Sequence, residues 1–78
     1  MIFRIYVSYK QGILDPEAES IKKTIKNMGI DCVKKVSKGK FFDIEVDKSK
    51  NYKKEVEKIS KDLLSNPVIE KFIITQIT

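Results

Sequence analysis

The chain has 78 residues, enough for one small domain over residues 1–78 and close to the size at which a single core is only marginally stable. Hydrophobic residues make up 41% and charged residues 35% of the chain, so we expect a folded domain, and no apolar run is long enough to span a bilayer. The formal net charge is +5, yet the chain has no histidine and one cysteine, which excludes hydrolases that need an imidazole base or a zinc site.

The first predicted element is a strand over residues 2–9. Phe3, Ile5 and Val7 alternate in it with residues of the opposite parity. A period of two is typical of a strand with one face on a core and the other face turned away from it.

A helix is predicted to follow, beginning at Asp15 and Pro16. Aspartate is a good N-cap because it accepts hydrogen bonds from free backbone N–H groups, and proline is tolerated at the first helical position. Gly29 is expected to end the helix. The apolar residues at helical spacing, which should face the sheet, are Ala18, Ile21, Ile25 and Met28.

The middle of the chain predicts two strands joined by a tight turn. Residues 31–36 are expected to form a short edge strand, with Cys32 buried or half-buried as a small apolar residue. Gly39 is expected to reverse the chain with a positive φ angle. The strand after it has a core-facing set of Phe42, Ile44 and Val46.

The last third of the chain predicts a polar connector over residues 47–51, a helix over residues 52–64 and a final strand over residues 68–77. Pro67 ends the helix because proline cannot enter a helix interior and forces the preceding residue out of helical geometry. In the final strand, apolar residues fall on both parities, so neither face is expected to be simply solvated.

This order of elements predicts an α+β fold, the ferredoxin-like βαββαβ sandwich, in which two helices cover one face of a four-stranded antiparallel sheet. The uncovered face would carry Tyr6, Phe41 and Ile73. An apolar patch of this kind usually marks an interaction surface, and a second copy of the chain is the simplest partner.

RNA binding and carboxylate chemistry are two alternatives to that interpretation. The segment Lys38-Gly39-Lys40-Phe41-Phe42 is similar to an RNA-binding motif, but Phe42 shares the parity of the core residues, and the lysines are scattered among acids. Asp43, Glu45 and Asp47 are better explained as a solvated strand face than as catalytic or metal-binding acids. We therefore expect no catalytic residue, cofactor or metal site, and no nucleic acid or membrane partner. Since no basic leader and apolar segment open the chain, the cytoplasm is the expected location.

Three stretches together resemble one family. They are Gly12-Ile13-Leu14-Asp15-Pro16 after the first strand, Gly39-Lys40 at the centre, and Leu63-Leu64-Ser65-Asn66-Pro67-Val68-Ile69-Glu70 before the last strand. This pattern resembles PurS, the small subunit of bacterial and archaeal phosphoribosylformylglycinamidine synthase. The likeness extends over essentially the entire chain.

The resemblance implies a role in purine biosynthesis. In that family a dimer of the small subunit bridges a glutaminase and a synthetase subunit and is thought to assist ammonia transfer, while ATP and magnesium belong to the synthetase subunit. Seven positions match the family's motifs, and the hypothesis is that they serve docking, namely Asp15, Pro16, Gly39, Lys40, Asn66, Pro67 and Glu70. The alternative is a homodimeric small-molecule-sensing regulatory domain of the same topology.

Overall fold

A computed structural model describes residues 1–48 and 51–78, so residues 49 and 50 of the predicted connector lie outside the described residues. The strands and helices of the described part are, in chain order, β1 (Ile2–Tyr9), α1 (Pro16–Asn27), β2 (Gly39–Glu45), α2 (Tyr52–Ile59) and β3 (Glu70–Gln76). A π-helical turn, Ser60–Leu64, directly continues α2. None of its helices has the length and apolarity needed to cross a membrane.

The sheet has β1 at its centre, with β2 and β3 antiparallel on either side. The register sets Ile5 opposite Phe42 on one side and opposite Ile74 on the other. Residues directly opposite each other on neighbouring strands point to the same face of a sheet, so these three residues share one face. Phe3, Ile5 and Val7 are buried while the residues between them are not, so the predicted alternation of the first strand is confirmed.

The core lies on that face, against α2. Phe3, Ile5 and Val7 are buried there together with Val56 of α2. The ring of Tyr52 lies 5.7 Å from that of Phe3, centroid to centroid. Helix α2 is thus held on the sheet by its apolar residues, as the sequence predicts.

The ends of α1 agree with the prediction, but its packing does not. The Asp15 side chain caps the helix, and Gly29, at a φ of 83°, follows its last turn. Among the residues of α1, however, Ala18 alone is buried, whereas Ile21 and the C-cap residue Met28 are exposed. The prediction of two helices covering one face of the sheet is wrong in this respect, because the described part of α1 contributes no side chain to the core cluster.

The predicted four-stranded sheet is also wrong, since the sheet of the described chain has three strands. Residues 31–38 have no regular structure, and Cys32 is exposed rather than buried. A strand needs a neighbouring edge with which to pair its backbone groups. In the described chain β2 pairs with β1 alone, so residues 31–36 do not lie along its outer edge.

Gly39 has a role different from the predicted turn. Its φ angle is not among the positive ones, and it lies opposite Ser8 as the first residue of β2. A Cβ atom at this position would lie 2.8 Å from the backbone oxygen of Val7. Glycine is needed at this position because the backbones of β1 and β2 approach closely. A close approach of two backbones is a common reason for a glycine within a strand.

Candidate functional site

The seven residues predicted to serve docking lie at one end of the sheet, which we call the docking end. Here β1 finishes while β2 and β3 begin, because the register sets Ser8 opposite Gly39 and Tyr9 opposite Glu70. The segments that carry these residues converge here from three separate parts of the chain. The set is Asp15, Pro16, Gly39, Lys40, Asn66, Pro67 and Glu70.

The N-terminus of α1 is tied to the start of β2 at this end. Asp15 Oδ1 accepts hydrogen bonds from the backbone N–H groups of Glu17 and Ala18, at 3.0 and 3.3 Å. Lys38 Nζ lies 3.4 Å from Asp15 Oδ2 and 3.5 Å from Glu17 Oε2. Although desolvation alone would lower the pKa of Lys38, the neighbouring carboxylates raise it above its ordinary value.

Lys38 was not among the residues predicted for this site. No sequence spacing relates it to Asp15, because the two are brought together by the path of the irregular residues 31–38. Sequence reasoning had only the adjacent Gly39-Lys40 pair as a signal.

The segment before β3 forms a turn that uses two of the predicted side chains. The backbone N–H of Asn66 donates to Glu70 Oε1 at 2.7 Å, and that of Val68 donates to Asn66 Oδ1 at 3.1 Å. Lys10 Nζ donates to the carbonyl of Pro67 at 2.7 Å. Asn66 and Glu70 thus stabilise the turn between the helical segment and β3. Because of this turn, β3 begins at Glu70, two residues after the predicted start.

Lys40 is different from these residues, because its side chain is exposed at the second position of β2. Its Nζ lies 5.7 Å from the centre of the Phe42 ring. A cation over an aromatic face is weakly attracted to it, which directs the lysine along the sheet edge. Its charge remains available at the docking end.

A cleft of about 490 Å³ opens at the docking end between the exit of β1, the start of α1 and residues 35–38. Four lysines line it against two carboxylates, those of Asp15 and Glu19. Apolar side chains, among them Ile13, Leu14 and Val36, lie beside them. The lysines are Lys10, Lys35, Lys38 and Lys71.

The sheet face opposite the core carries the three residues predicted to form a homo-oligomer surface, and we call it the open face. Tyr6 is paired in register with Phe41 on β2 and with Ile73 on β3, so the three form a row across the sheet. They are 44%, 53% and 58% exposed, respectively. The Tyr6 and Phe41 rings lie 6.1 Å apart, within the usual range for aromatic pairs.

An ion pair lies next to this row. Arg4 Nε and Nη2 donate to the two carboxylate oxygens of Asp43, at 2.8 and 3.0 Å, and the guanidinium lies 4.3 Å from the centre of the Phe41 ring. The hydrogen bond from Arg4 lowers the pKa of Asp43, and the hydrogen-bonded Asp43 carboxylate, together with the neighbouring Tyr6, raises that of Arg4. Asp43 is therefore engaged in the sheet rather than free for acid–base chemistry.

The acids of the described residues do not converge on a common point. In residues 1–48 and 51–78 there is no group of three or more histidine, cysteine, aspartate or glutamate side chains placed to hold a metal ion. The docking end and the open face expose charged side chains, backbone polar groups and apolar side chains. Protein–protein interfaces are built from groups of these kinds.

The chain is similar to known proteins in both sequence and structure. Residues 2–77 match the family model described as "PurS: Phosphoribosylformylglycinamidine (FGAM) synthase". The phosphoribosylformylglycinamidine synthase subunit PurS of Archaeoglobus fulgidus is 40% identical over 76 residues, which cover 95% of each chain.

Solved structures agree with the sequence match. The structure of Bacillus subtilis PurS superimposes with a TM-score of 0.88 at 28% identity, covering 95% of this chain and 94% of the other. A chain in the structure of PurLQS from Thermotoga maritima superimposes with a TM-score of 0.72 at 25% identity, covering 99% of both chains. The chain therefore belongs to the PurS family of phosphoribosylformylglycinamidine synthase subunits.

Proposed function

We propose that this chain is the non-catalytic small subunit of a cytoplasmic phosphoribosylformylglycinamidine synthase complex, in which it bridges the glutaminase and synthetase subunits and assists ammonia transfer. The complex would use ATP and glutamine to convert formylglycinamide ribonucleotide to formylglycinamidine ribonucleotide. Family membership and the PurLQS structure of a relative support the assignment to such a complex. The bridging role draws its support from the shape and surface of the chain.

The observation that carries the proposal is the extended shape of the chain. Its radius of gyration is 16.2 Å, whereas a compact domain of this length has roughly 11 to 12 Å. Four large apolar side chains, those of Leu14, Met28, Leu63 and Val68, are between 68% and 78% exposed. Apolar surface of this extent favours association because its burial is the dominant gain in most protein contacts.

The open face and the docking end would contact different partners. The open face, with Tyr6, Phe41 and Ile73, suits a second copy of the chain, as in a homodimer or tetramer. The docking end, with its charged side chains and exposed Lys40, suits the glutaminase and synthetase subunits. Both surfaces belong to one three-stranded sheet, so partners on them would be held at a fixed relative position.

In this proposal the chemistry takes place on the other subunits. ATP and magnesium bind the synthetase subunit, glutamine binds the glutaminase subunit, and this chain holds no cofactor. The carboxylates of Asp15 and Asp43 support this division because each is already paired with a cation, Lys38 and Arg4 respectively.

Reconstitution tests the bridging role. The glutaminase and synthetase subunits are combined with or without this chain, and turnover is measured with glutamine and, separately, with ammonium chloride as the nitrogen source. We expect omission to reduce turnover with glutamine by at least ten-fold and to leave turnover with ammonia nearly unchanged. Equal turnover with glutamine in both mixtures would contradict the proposal.

The cleft of about 490 Å³ favours one other function, a homodimeric small-molecule-sensing regulatory domain, because ligand pockets commonly have volumes of this order. Thermal melting of the isolated chain with amino acids or nucleotides distinguishes the two. A ligand-dependent rise in melting temperature without partner subunits would support the sensing function.

A further inference from the structure

We propose that the cleft at the docking end receives an acidic segment of a partner subunit, whose carboxylates lie against Lys35 and Lys71. This inference rests on the proposed function and adds to it the chemistry of the contact and the lysines that make it. The partner segment would carry aspartate or glutamate next to an apolar residue.

The charges of the cleft lining are unbalanced in favour of lysine. Of the two carboxylates, that of Asp15 is neutralised by Lys38 and by two backbone N–H donors. The Lys10 ammonium donates to a backbone carbonyl, so its charge is not cancelled. Lys35 and Lys71 form no ion pair with any residue that the structure describes. The carboxylate of Glu19 therefore balances only one of the three remaining cations, which are Lys10, Lys35 and Lys71.

The form of the cleft favours an inserted segment of chain over a small anion. Lys35 comes from the irregular segment before β2, and Lys71 from the second residue of β3, so the free cations belong to separate walls. Leu14 is 70% exposed at the same cleft and offers an apolar contact that a bare phosphate would not use. Opposite charges arranged across an interface steer the encounter and select the partner.

A double charge reversal, Lys35→Glu with Lys71→Glu, tests the proposal. Its matched control reverses Lys54 and Lys58 on α2, two exposed lysines outside the cleft, and gives the same change in net charge. Association of each full-length variant with the glutaminase and synthetase subunits is followed at several salt concentrations, and thermal melting verifies that both variants fold. We expect association of the cleft variant to be about ten-fold slower than that of the control at low salt, and less dependent on salt.

The possible results separate this inference from the proposed function. Equal association rates for the cleft and control variants, while the wild-type chain remains necessary for turnover with glutamine, would overturn the inference alone. A wild-type chain that binds neither subunit would overturn both. Inorganic phosphate is the probe for a small-anion site: if it raises the melting temperature of the isolated wild-type chain but not of a normally assembling cleft variant, the acidic segment is the wrong occupant.

Discussion

Individual residues make close contacts between β1 and β2 at two places, one at the docking end and one on the open face. At the docking end, Gly39 allows the backbone of β2 to approach Val7 closely. On the open face, Arg4 and Asp43 lie opposite each other and form a two-point ion pair across β1 and β2. Each contact gives a prediction that a single substitution can test.

Gly39→Ala should destabilise the fold by about 1–3 kcal/mol, because the new methyl group would overlap the Val7 oxygen and force the strands apart. Urea unfolding monitored by circular dichroism measures the loss. Lys40→Ala is the control, since the Lys40 side chain is exposed one residue further along the same strand. Equal free energies of unfolding for the wild type and Gly39→Ala would show that the two strands do not approach as described.

The Arg4–Asp43 pair predicts a pH dependence of defined sign. Because the folded-state pKa of Asp43 is lowered, the pair contributes stability above the ordinary aspartate pKa, near 3.8, and loses it as the pH falls through the lower folded value. An NMR titration of the Asp43 carboxyl group should therefore give a midpoint below 3.8. In Arg4→Gln the midpoint should move upward, and an unchanged midpoint would exclude Arg4 as the cause.

At the scale of elements, the two helices have different relations to the sheet. Helix α2 is held by Val56, which is buried among Phe3, Ile5 and Val7. Helix α1 begins and ends as its sequence predicts, but it is stabilised mainly by its own cap and backbone bonds. Substitutions in the two helices should consequently act through different mechanisms.

Val56→Ala should cost about 2 kcal/mol of unfolding free energy, since it removes two buried methyl groups and leaves a cavity over the centre of the sheet. Chemical denaturation measures this value. Lys54→Ala, on the exposed face of the same helix, should change stability by less than about 0.5 kcal/mol. Similar losses for both variants would mean that α2 is not anchored through Val56.

Asp15→Ala should destabilise α1 by about 1 kcal/mol, because the first-turn N–H groups of Glu17 and Ala18 lose their acceptor. The far-ultraviolet circular dichroism signal at elevated temperature reports the loss of helix. Asp15→Asn keeps a capping oxygen but removes the charge opposite Lys38, so it should retain most of the helix signal. An equal effect of the two variants would assign the stability to the ion pair instead of the cap.

At the scale of the whole molecule, the chain is a small sheet with one covered face and a long extension. Its principal dimensions are 54 × 27 × 14 Å. The face opposite α2 exposes Phe41 and Ile73, and the outer edge of β2 has no strand partner within the described residues. Unpaired edges and apolar faces of this kind are ordinarily covered by another chain.

Ile73→Asp should lower the mass of the assembly measured by light scattering, because a carboxylate within an apolar contact must be desolvated without a partner. The wild-type chain should be heavier than one copy at the same concentration. Lys54→Asp, on α2, introduces the same side chain away from the open face and should keep the wild-type mass. A wild-type mass equal to one chain would contradict the proposed homo-oligomer.

Much of the fold could be predicted because the responsible forces act over a few residues. The alternation of Phe3, Ile5 and Val7 identifies β1, and Asp15 with Pro16 identifies the start of α1, since both signals are local. The family was recognised from the order of three short motifs, and this recognition is confirmed by the family match over residues 2–77.

Local patterns in the sequence are sufficient to locate the starts of β1, α1 and α2, the sheet residues that face the core, and the family of the chain. The folded chain was needed to show that residues 31–36 remain outside the sheet, that Gly39 serves a close backbone approach, and that Lys38 lies next to Asp15. Caps and periodicity depend on neighbours in the chain, whereas strand pairing and ion pairs depend on a second segment whose position no local pattern records.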